Sequence, residues 1–144
     1  MLIDNYGRPL LNLRVAITRR CNLCCQFCHM EGEERFRENL GDEMTIHEIV
    51  RLVKTAVGLG ISKVKLTGGE PLIREDVVEI VKGIAAIPGL EDLSMTTNGT
   101  LLASFAKELC ANGLKRVNIS LPTLDGEVYN KLTGGRLEDT LEGV

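Results

Sequence analysis

Four of the chain's five cysteines lie within the eight residues 21–28. Cys21, Cys25 and Cys28 have the spacing C-x3-C-x2-C, and the aromatic Phe27 stands directly before the last of them. Three thiolates on one short loop can ligate three irons of a four-iron cluster, which leaves the fourth iron open for a substrate or a cofactor. In a reducing compartment, cysteines clustered in this way indicate metal binding rather than disulfides.

The residues leave two other interpretations of this loop open. Cys24 allows a second register in which it replaces Cys25 in the ligand set, although the position of Phe27 favours Cys25. A structural zinc site is the other alternative, since His29 could complete a tetrahedral set with three cysteines. Structural zinc usually takes two separated pairs of ligands, and the chain contains no second pair.

Short β-branched runs alternate with helical patterns along the chain. The predicted strands are residues 13–18, 63–67, 92–97 and 116–120. The predicted helices are residues 45–60, 76–86 and 101–112, with a fourth from about residue 125 into the C-terminal residues. Cys110 falls inside the third helix and is predicted to be a core residue. This alternation predicts an α/β protein with a parallel sheet, either barrel-like or doubly wound.

Polar and glycine-rich segments follow the C-terminal end of each predicted strand. They are the cysteines, then Gly68-Gly69-Glu70-Pro71, Thr97-Asn98-Gly99 and Ser120-Leu121-Pro122-Thr123. Ligands of parallel α/β sheets bind at that edge, so we expect these four segments to converge on one rim. Glycines permit close backbone approach, and their carbonyls could accept hydrogen bonds from an ammonium group. Taken singly, each segment is also compatible with a plain turn.

Composition and charge exclude several classes of function. The chain has 144 residues, which suggests one domain, and its formal net charge of −3 gives no general electrostatic case for nucleic acid or an anionic membrane. No apolar run reaches the ~18 residues that a membrane span needs. The first eight residues lack the basic start and apolar core of a signal peptide. We therefore expect a cytoplasmic protein without nucleic-acid or membrane partners.

Together these motifs resemble the radical S-adenosylmethionine superfamily, which combines such a cysteine loop with a Gly-Gly-Glu-Pro turn on repeating βα units. In that superfamily the open iron binds the amino nitrogen and carboxylate of S-adenosylmethionine. An electron from the cluster then cleaves the sulfonium, and the resulting 5′-deoxyadenosyl radical abstracts hydrogen from the substrate. Within the superfamily, the chain is most similar to the GTP 3′,8-cyclase family of molybdenum cofactor biosynthesis. The similarity runs through residues 6–9, 13–22, 65–76, 96–99 and 116–121, and residues 27–34 are similar to archaeal members.

The resemblance implies a set of site residues. Cys21, Cys25 and Cys28 would ligate the 4Fe–4S cluster, Phe27, Gly68, Gly69, Glu70 and Ser120 would bind S-adenosylmethionine, and Arg14, Lys65 and Thr96 would bind GTP. Lys65 stands where many members have arginine, so it keeps the charge but loses the bidentate fork. Arg14 and Lys65 alternate with apolar neighbours and are predicted to share one face of the sheet, where a triphosphate would neutralise them. Ala16 and Pro122 also depart from the family pattern, which affects the expected substrate geometry.

The same resemblance implies a partial (βα) barrel, with residues 1–144 as the N-terminal part of the core domain and about four of its six or so βα units. A second 4Fe–4S cluster is expected only in the full-length enzyme. The chain alone should hold at most one cluster and should not convert GTP, although the full-length enzyme would be a lyase.

Expected partners are GTP, a reductant protein and a second copy in a homodimer. The alternatives are another radical S-adenosylmethionine enzyme, of the peptide-modifying or activating kind, and a non-catalytic zinc module.

Overall fold

The computed structural model describes residues 2–28 and 43–144. Within them, one parallel sheet has four strands in the order β1-β2-β3-β4. The strands are β1 (Asn12–Ala16), β2 (Lys63–Thr67), β3 (Asp92–Thr97) and β4 (Arg116–Ile119). The helices are α1 (Ile46–Gly58), α2 (Val77–Ala85), α3 (Leu102–Ala111), α4 (Gly126–Thr133) and α5 (Leu137–Gly143), and a 3-10 turn spans Pro71–Ile73.

The sheet winds in one direction. Because the strand order follows the chain order, each right-handed crossover places its helix on the same side of the sheet. One apolar cluster accordingly joins Leu66 and Met95 of the sheet to Ile49 of α1, Ile80 of α2 and Leu109 of α3. This is the arrangement of part of a (βα) barrel. A doubly wound sheet would reverse its strand order and carry helices on both faces.

The start of α1 shows how local sequence fixes these elements. The side-chain oxygen of Thr45 accepts a hydrogen bond from the Glu48 N–H at 3.3 Å, and the Glu48 carboxylate accepts one from the Thr45 N–H at 2.8 Å. This is the predicted capping box, which satisfies two N–H groups that a helix start otherwise leaves unpaired. Gly60 follows the helix with a φ of 104°, a conformation that glycine adopts readily.

Two predictions about the helices are wrong. The last predicted helix is two helices, because Gly134 takes the left-handed conformation (φ 73°) that ends α4, and Arg136 is extended before α5 begins. Cys110 is exposed and is not a core residue. Its neighbour Leu109 faces the apolar cluster with 1% of its surface exposed, and the next residue of a helix is rotated by about 100°.

The strand predictions hold closely. The bounds of β2 and β3 are as predicted, while β1 and β4 end before residues 18 and 120. Pairing nevertheless continues beyond β1, since the Ile17 N–H donates to the Thr67 oxygen at 2.9 Å. No helix in the described part of the chain has both the length and the apolar character that crossing a membrane requires.

Candidate functional site

The loops at the C-terminal ends of the strands enclose a cavity of about 180 Å³. Its lining includes Cys21, Cys25, Phe27 and Cys28 after β1, Gly68, Gly69 and Glu70 after β2, Thr96 and Asn98 at the end of β3, and Ser120 after β4. All four segments predicted to share a rim therefore meet there. Arg14 and Lys65 do not line the cavity and lie further down the sheet.

The cysteine loop presents three of its four thiols to this cavity. Cys24 is the exception; its N–H donates to the Thr133 oxygen at 2.8 Å, which holds this part of the loop against the end of α4. Burial raises the pKa of the Cys21 and Cys25 thiols, and charge on the neighbouring cysteines adds to both shifts. Because metals bind thiolates, loading this site would release protons.

The donor set at the cavity is three cysteines, which is the set that a cluster with one open iron requires. In residues 2–28 and 43–144, no three His, Cys, Asp or Glu side chains are grouped so that they could hold one metal ion. Zinc needs its thiolates about 2.3 Å from one centre, whereas a cluster spreads them over separate irons. Cys21, Cys25 and Cys28, which all line the cavity, could each ligate a separate iron in this way. His29, the ligand of the zinc alternative, lies outside the described residues.

The glycine turn after β2 packs directly against the cysteine loop. The Gly69 N–H donates to the Thr18 oxygen at 2.9 Å, and the Glu70 N–H donates to the Arg20 oxygen at 2.8 Å. A Cβ atom at Gly68 would lie 2.4 Å from the Thr18 oxygen, and one at Gly69 would lie 2.2 Å from the Arg20 oxygen. Both glycines are therefore required for the approach of the two loops, because no larger residue fits between the backbones.

Glu70 links the glycine turn to the loop after β3. It is 1% exposed, and its carboxylate accepts hydrogen bonds from the Leu72 N–H (3.0 Å), the Thr97 hydroxyl (2.6 Å) and the Asn98 N–H (2.7 Å). Among the described residues, no cation forms an ion pair with Glu70. A buried carboxylate that accepts hydrogen bonds only from neutral donors favours the binding of a positively charged ligand group nearby.

Arg74 and Asp76 fix the base of the cysteine loop. Arg74 is 5% exposed, and its Nη1 donates to the carbonyl oxygens of Ile17 (2.7 Å) and Met44 (3.0 Å). Its Nε and Nη2 form a bidentate pair with Asp76 at 2.7 Å each. The Arg74 guanidinium beside Asp76 lowers the pKa of that carboxyl group. The end of β1 is thereby tied to the chain before α1.

A second pair, Arg20 and Glu43, lies beside that base. Arg20 donates to both carboxylate oxygens of Glu43, at 3.0 and 3.1 Å, and the Thr18 hydroxyl also donates to Glu43. Burial opposes ionisation of Glu43, but these hydrogen bonds outweigh it and lower the pKa of the group. Residues just before the first cysteine are thus clamped to the chain that enters α1.

Arg14 and Lys65 are direct partners in the β1–β2 register, so their side chains share one face of the sheet. Thr96 lies on the same face, two residues beyond Ser94, the partner of Lys65 in β3. Neither Arg14 nor Lys65 forms an ion pair in the described part of the chain. Two uncompensated cations side by side make this face attractive to an anion.

Sequence reasoning missed the contribution of α4 to the cavity. Tyr129 and Thr133 line it, and Tyr129 is 0% exposed, with its hydroxyl 2.7 Å from the Thr140 hydroxyl of α5. No motif surrounds Tyr129. The signal that could have located this wall is the Gly134-Gly135 pair, which marks the end of a helix at the place where the cysteine loop packs.

The family model of the radical SAM superfamily matches residues 15–144. The chain belongs to the radical S-adenosylmethionine superfamily. Membership implies a 4Fe–4S cluster and S-adenosylmethionine as cofactors, and the three thiols at one cavity fit that cluster.

Two curated relatives of this radical S-adenosylmethionine protein are named for the same reaction. A "Probable GTP 3′,8-cyclase" of Thermococcus kodakarensis is 54% identical over 145 residues, covering 100% of this chain and 46% of the relative. A "GTP 3′,8-cyclase" of Peptoclostridium acidaminophilum is 45% identical over 145 residues, covering 100% of this chain and 44% of the relative. The chain thus spans less than half the length of these relatives.

A solved structure supports the superfamily fold. Streptococcus suis SuiB bound to S-adenosylmethionine superposes with a TM-score of 0.75 at 23% identity, covering 92% of this chain and 30% of that chain. At this identity the similarity concerns the fold alone. The fold is the partial barrel of the superfamily, as the one-directional sheet indicates.

Proposed function

We propose that this chain is the cofactor-binding part of a GTP 3′,8-cyclase. Such a radical S-adenosylmethionine lyase converts GTP to the cyclised precursor of cyclic pyranopterin phosphate in molybdenum cofactor biosynthesis. The relatives that match the whole chain carry this name. The structural observation that carries the proposal is the in-register pair of Arg14 and Lys65, which lacks an anionic partner among the described residues and lies below the cavity.

The cavity is the proposed cofactor site. Cys21, Cys25 and Cys28 would ligate the cluster, and Phe27, Gly68, Gly69 and Ser120, which line the same cavity, would contact S-adenosylmethionine. When bound, these cofactors supply a 5′-deoxyadenosyl radical that removes hydrogen from a substrate. Glu70 would favour the positively charged groups of S-adenosylmethionine, since its buried carboxylate has no cationic partner in the part of the chain that the structure describes.

The polar face of the sheet is the proposed GTP site. Arg14 and Lys65 would neutralise the triphosphate, and Thr96, closer to the rim on the same face, would contact the nucleoside end. In this arrangement the part of GTP that reacts would lie nearest the cofactor. The second cluster, the reductant protein and a homodimer belong to the proposed whole enzyme.

Nucleotide binding to the reconstituted chain tests the GTP assignment. With cluster and S-adenosylmethionine present, Arg14→Ala and Lys65→Ala should each weaken GTP binding about tenfold in equilibrium dialysis, the loss of one charge-assisted phosphate contact. Lys65→Arg should retain or strengthen binding, because arginine keeps the charge and adds the bidentate fork. Lys54→Ala, on the exposed side of α1, is the matched control and should bind as the native chain does.

Equal GTP affinity in the Arg14, Lys65 and Lys54 variants would contradict the nucleotide assignment and leave the superfamily cofactors untouched. Turnover is a separate readout. We expect no conversion of GTP by the 144-residue chain alone, since the curated relatives are more than twice its length. Formation of the cyclised product by this chain would contradict that expectation.

A further inference from the structure

The cysteine loop is held by backbone hydrogen bonds at two places with a gap between them. Before the gap, the Arg20 oxygen accepts from the Glu70 N–H, and after it the Cys24 N–H donates to Thr133, both at 2.8 Å. Residues 21–23 form no backbone–backbone hydrogen bond with any other described residue, and within the gap the Leu23 N–H donates only to the Cys21 Sγ at 3.5 Å, which does not link the loop to the rest of the fold. Cys21, one of the three thiols at the cavity, lies in this gap, so its position needs another anchor.

Asn22 provides that anchor through a closed ring of three side chains. Its Oδ1 accepts from the Asn98 Nδ2 at 2.8 Å, and its Nδ2 donates to the Thr100 hydroxyl oxygen at 2.9 Å. The Thr100 hydroxyl in turn donates to the Asn98 Oδ1 at 2.8 Å, which closes the ring. Each side chain donates once and accepts once around the ring, an arrangement in which hydrogen bonds strengthen one another.

The far side of the ring is fixed to the fold. The Asn98 N–H donates to the Glu70 carboxylate at 2.7 Å, and the Asn98 carbonyl accepts from the Thr140 hydroxyl at 3.1 Å. The Thr100 N–H donates to the Asn98 Oδ1 at 3.0 Å. Asn98 also lines the cavity. The ring therefore ties the residue after Cys21 directly to the cavity wall.

We propose that Asn22, Asn98 and Thr100 are positioning residues that set the place of Cys21 relative to the S-adenosylmethionine cavity. They act through the cysteine loop and not through the fold, because Asn22 is exposed and the apolar cluster contains none of the three. The inference depends on superfamily membership and is independent of the GTP assignment.

The test compares two substitutions at one hydroxyl. Thr100→Val removes the hydroxyl with little change of shape, and Thr100→Ser keeps it. Each chain is reconstituted anaerobically with ferrous iron and sulfide, reduced, and titrated with S-adenosylmethionine while the electron paramagnetic resonance spectrum of the cluster is recorded. Thr100→Val and Asn22→Ala should each raise about tenfold the S-adenosylmethionine concentration that gives half of the spectral change. Thr100→Ser should give the native value, because it keeps the hydroxyl. The double variant Asn22→Ala/Thr100→Val should be no worse than either single one, because the ring acts as a unit.

Thermal unfolding of the metal-free chain separates positioning from a merely structural role. Asn112→Ala is the matched control, since that amide donates to the Glu108 carbonyl at 2.8 Å at the end of α3 and does not line the cavity. All variants should unfold within about 2–4 °C of the native midpoint. Should Thr100→Val not fold, Asn22→Ala decides the same question from an exposed loop position. An unchanged titration in Asn22→Ala overturns the proposal. The proposal is also overturned if a variant unfolds at a lower temperature and binds less iron, while the chains that do hold a cluster respond to S-adenosylmethionine as the native chain does.

Discussion

The two sides of this molecule are held together by different forces. Between sheet and helices, side chains such as Leu66 and Ile80 are 0% exposed and pack without polar partners. At the rim, the loops are held by hydrogen bonds and by glycine contacts, as where Glu70 binds Asn98 or Gly69 meets Arg20. Apolar burial is non-directional, whereas hydrogen bonds fix distance and angle. The helical layer therefore supplies most of the stability, and the rim supplies the positions that a cofactor needs.

Ile80→Ala should have the largest effect on stability. Removing a fully buried side chain from the layer should lower the free energy of unfolding by about 2–5 kcal/mol, measured by urea denaturation. Iron bound per folded chain should stay native, because Ile80 does not line the cavity. Leu52→Ala, at a position 42% exposed on α1, should cost no more than about 0.5 kcal/mol. Loss of iron from folded Ile80→Ala chains would contradict the view that the helical layer supplies stability and the rim supplies the cofactor site.

Gly69→Ala should reduce iron binding more than stability, the reverse of what is expected for Ile80→Ala. Its Cβ would lie 2.2 Å from the Arg20 oxygen, so the two loops must separate, at a cost of about 1–3 kcal/mol and with a large loss of reconstituted iron. Gly58→Ala is the matched control, since no atom lies within 4 Å of a Cβ there and alanine should stabilise α1 by about 0.5 kcal/mol. Native iron content in Gly69→Ala would show that the close approach of the loops is not needed.

Arg74→Ala should give an intermediate loss of about 1–3 kcal/mol in urea denaturation. It leaves the buried carbonyl of Ile17 and the half-buried carbonyl of Met44 without this donor, and Asp76 without its partner. Arg74→Lys should recover only part of the loss, because lysine cannot reproduce the planar fork. Arg8→Ala, whose side chain is 73% exposed, should be close to neutral. Full recovery by lysine would show that charge alone matters at this position.

The smallest expected effect is on the pH dependence of stability. Arg74 lowers the folded-state pKa of Asp76 below the ordinary aspartate value of about 3.9. The stabilisation is therefore fully present above that value and is lost as the pH falls through the lowered pKa. Between about pH 5 and about pH 3, the midpoint of thermal unfolding should fall less in Asp76→Asn than in the native chain. If the unfolding midpoints of the two proteins fall equally as the pH is lowered, Asp76 does not contribute to the acid sensitivity of the protein.

Local pattern was sufficient for most of the secondary structure. The β-branched runs gave the bounds of β2 and β3, and the Thr45–Glu48 capping box gave the start of α1. The convergence of four polar segments also followed, because parallel strands end at one edge. Prediction failed where a glycine changed the path of the chain, at Gly134, and where one helical position decided between core and surface, at Cys110.

The sequence by itself determined the superfamily of this protein, since the thiol spacing, the glycine pair and the strand pattern are local properties of the chain. Only the tertiary structure decided that the sheet winds in one direction and that Cys25, not Cys24, lines the cavity. It also decided that Asn22 meets Thr100, 78 positions away. Contacts of this kind depend on how loops pack at the end of a sheet, and no local pattern in the chain encodes that packing.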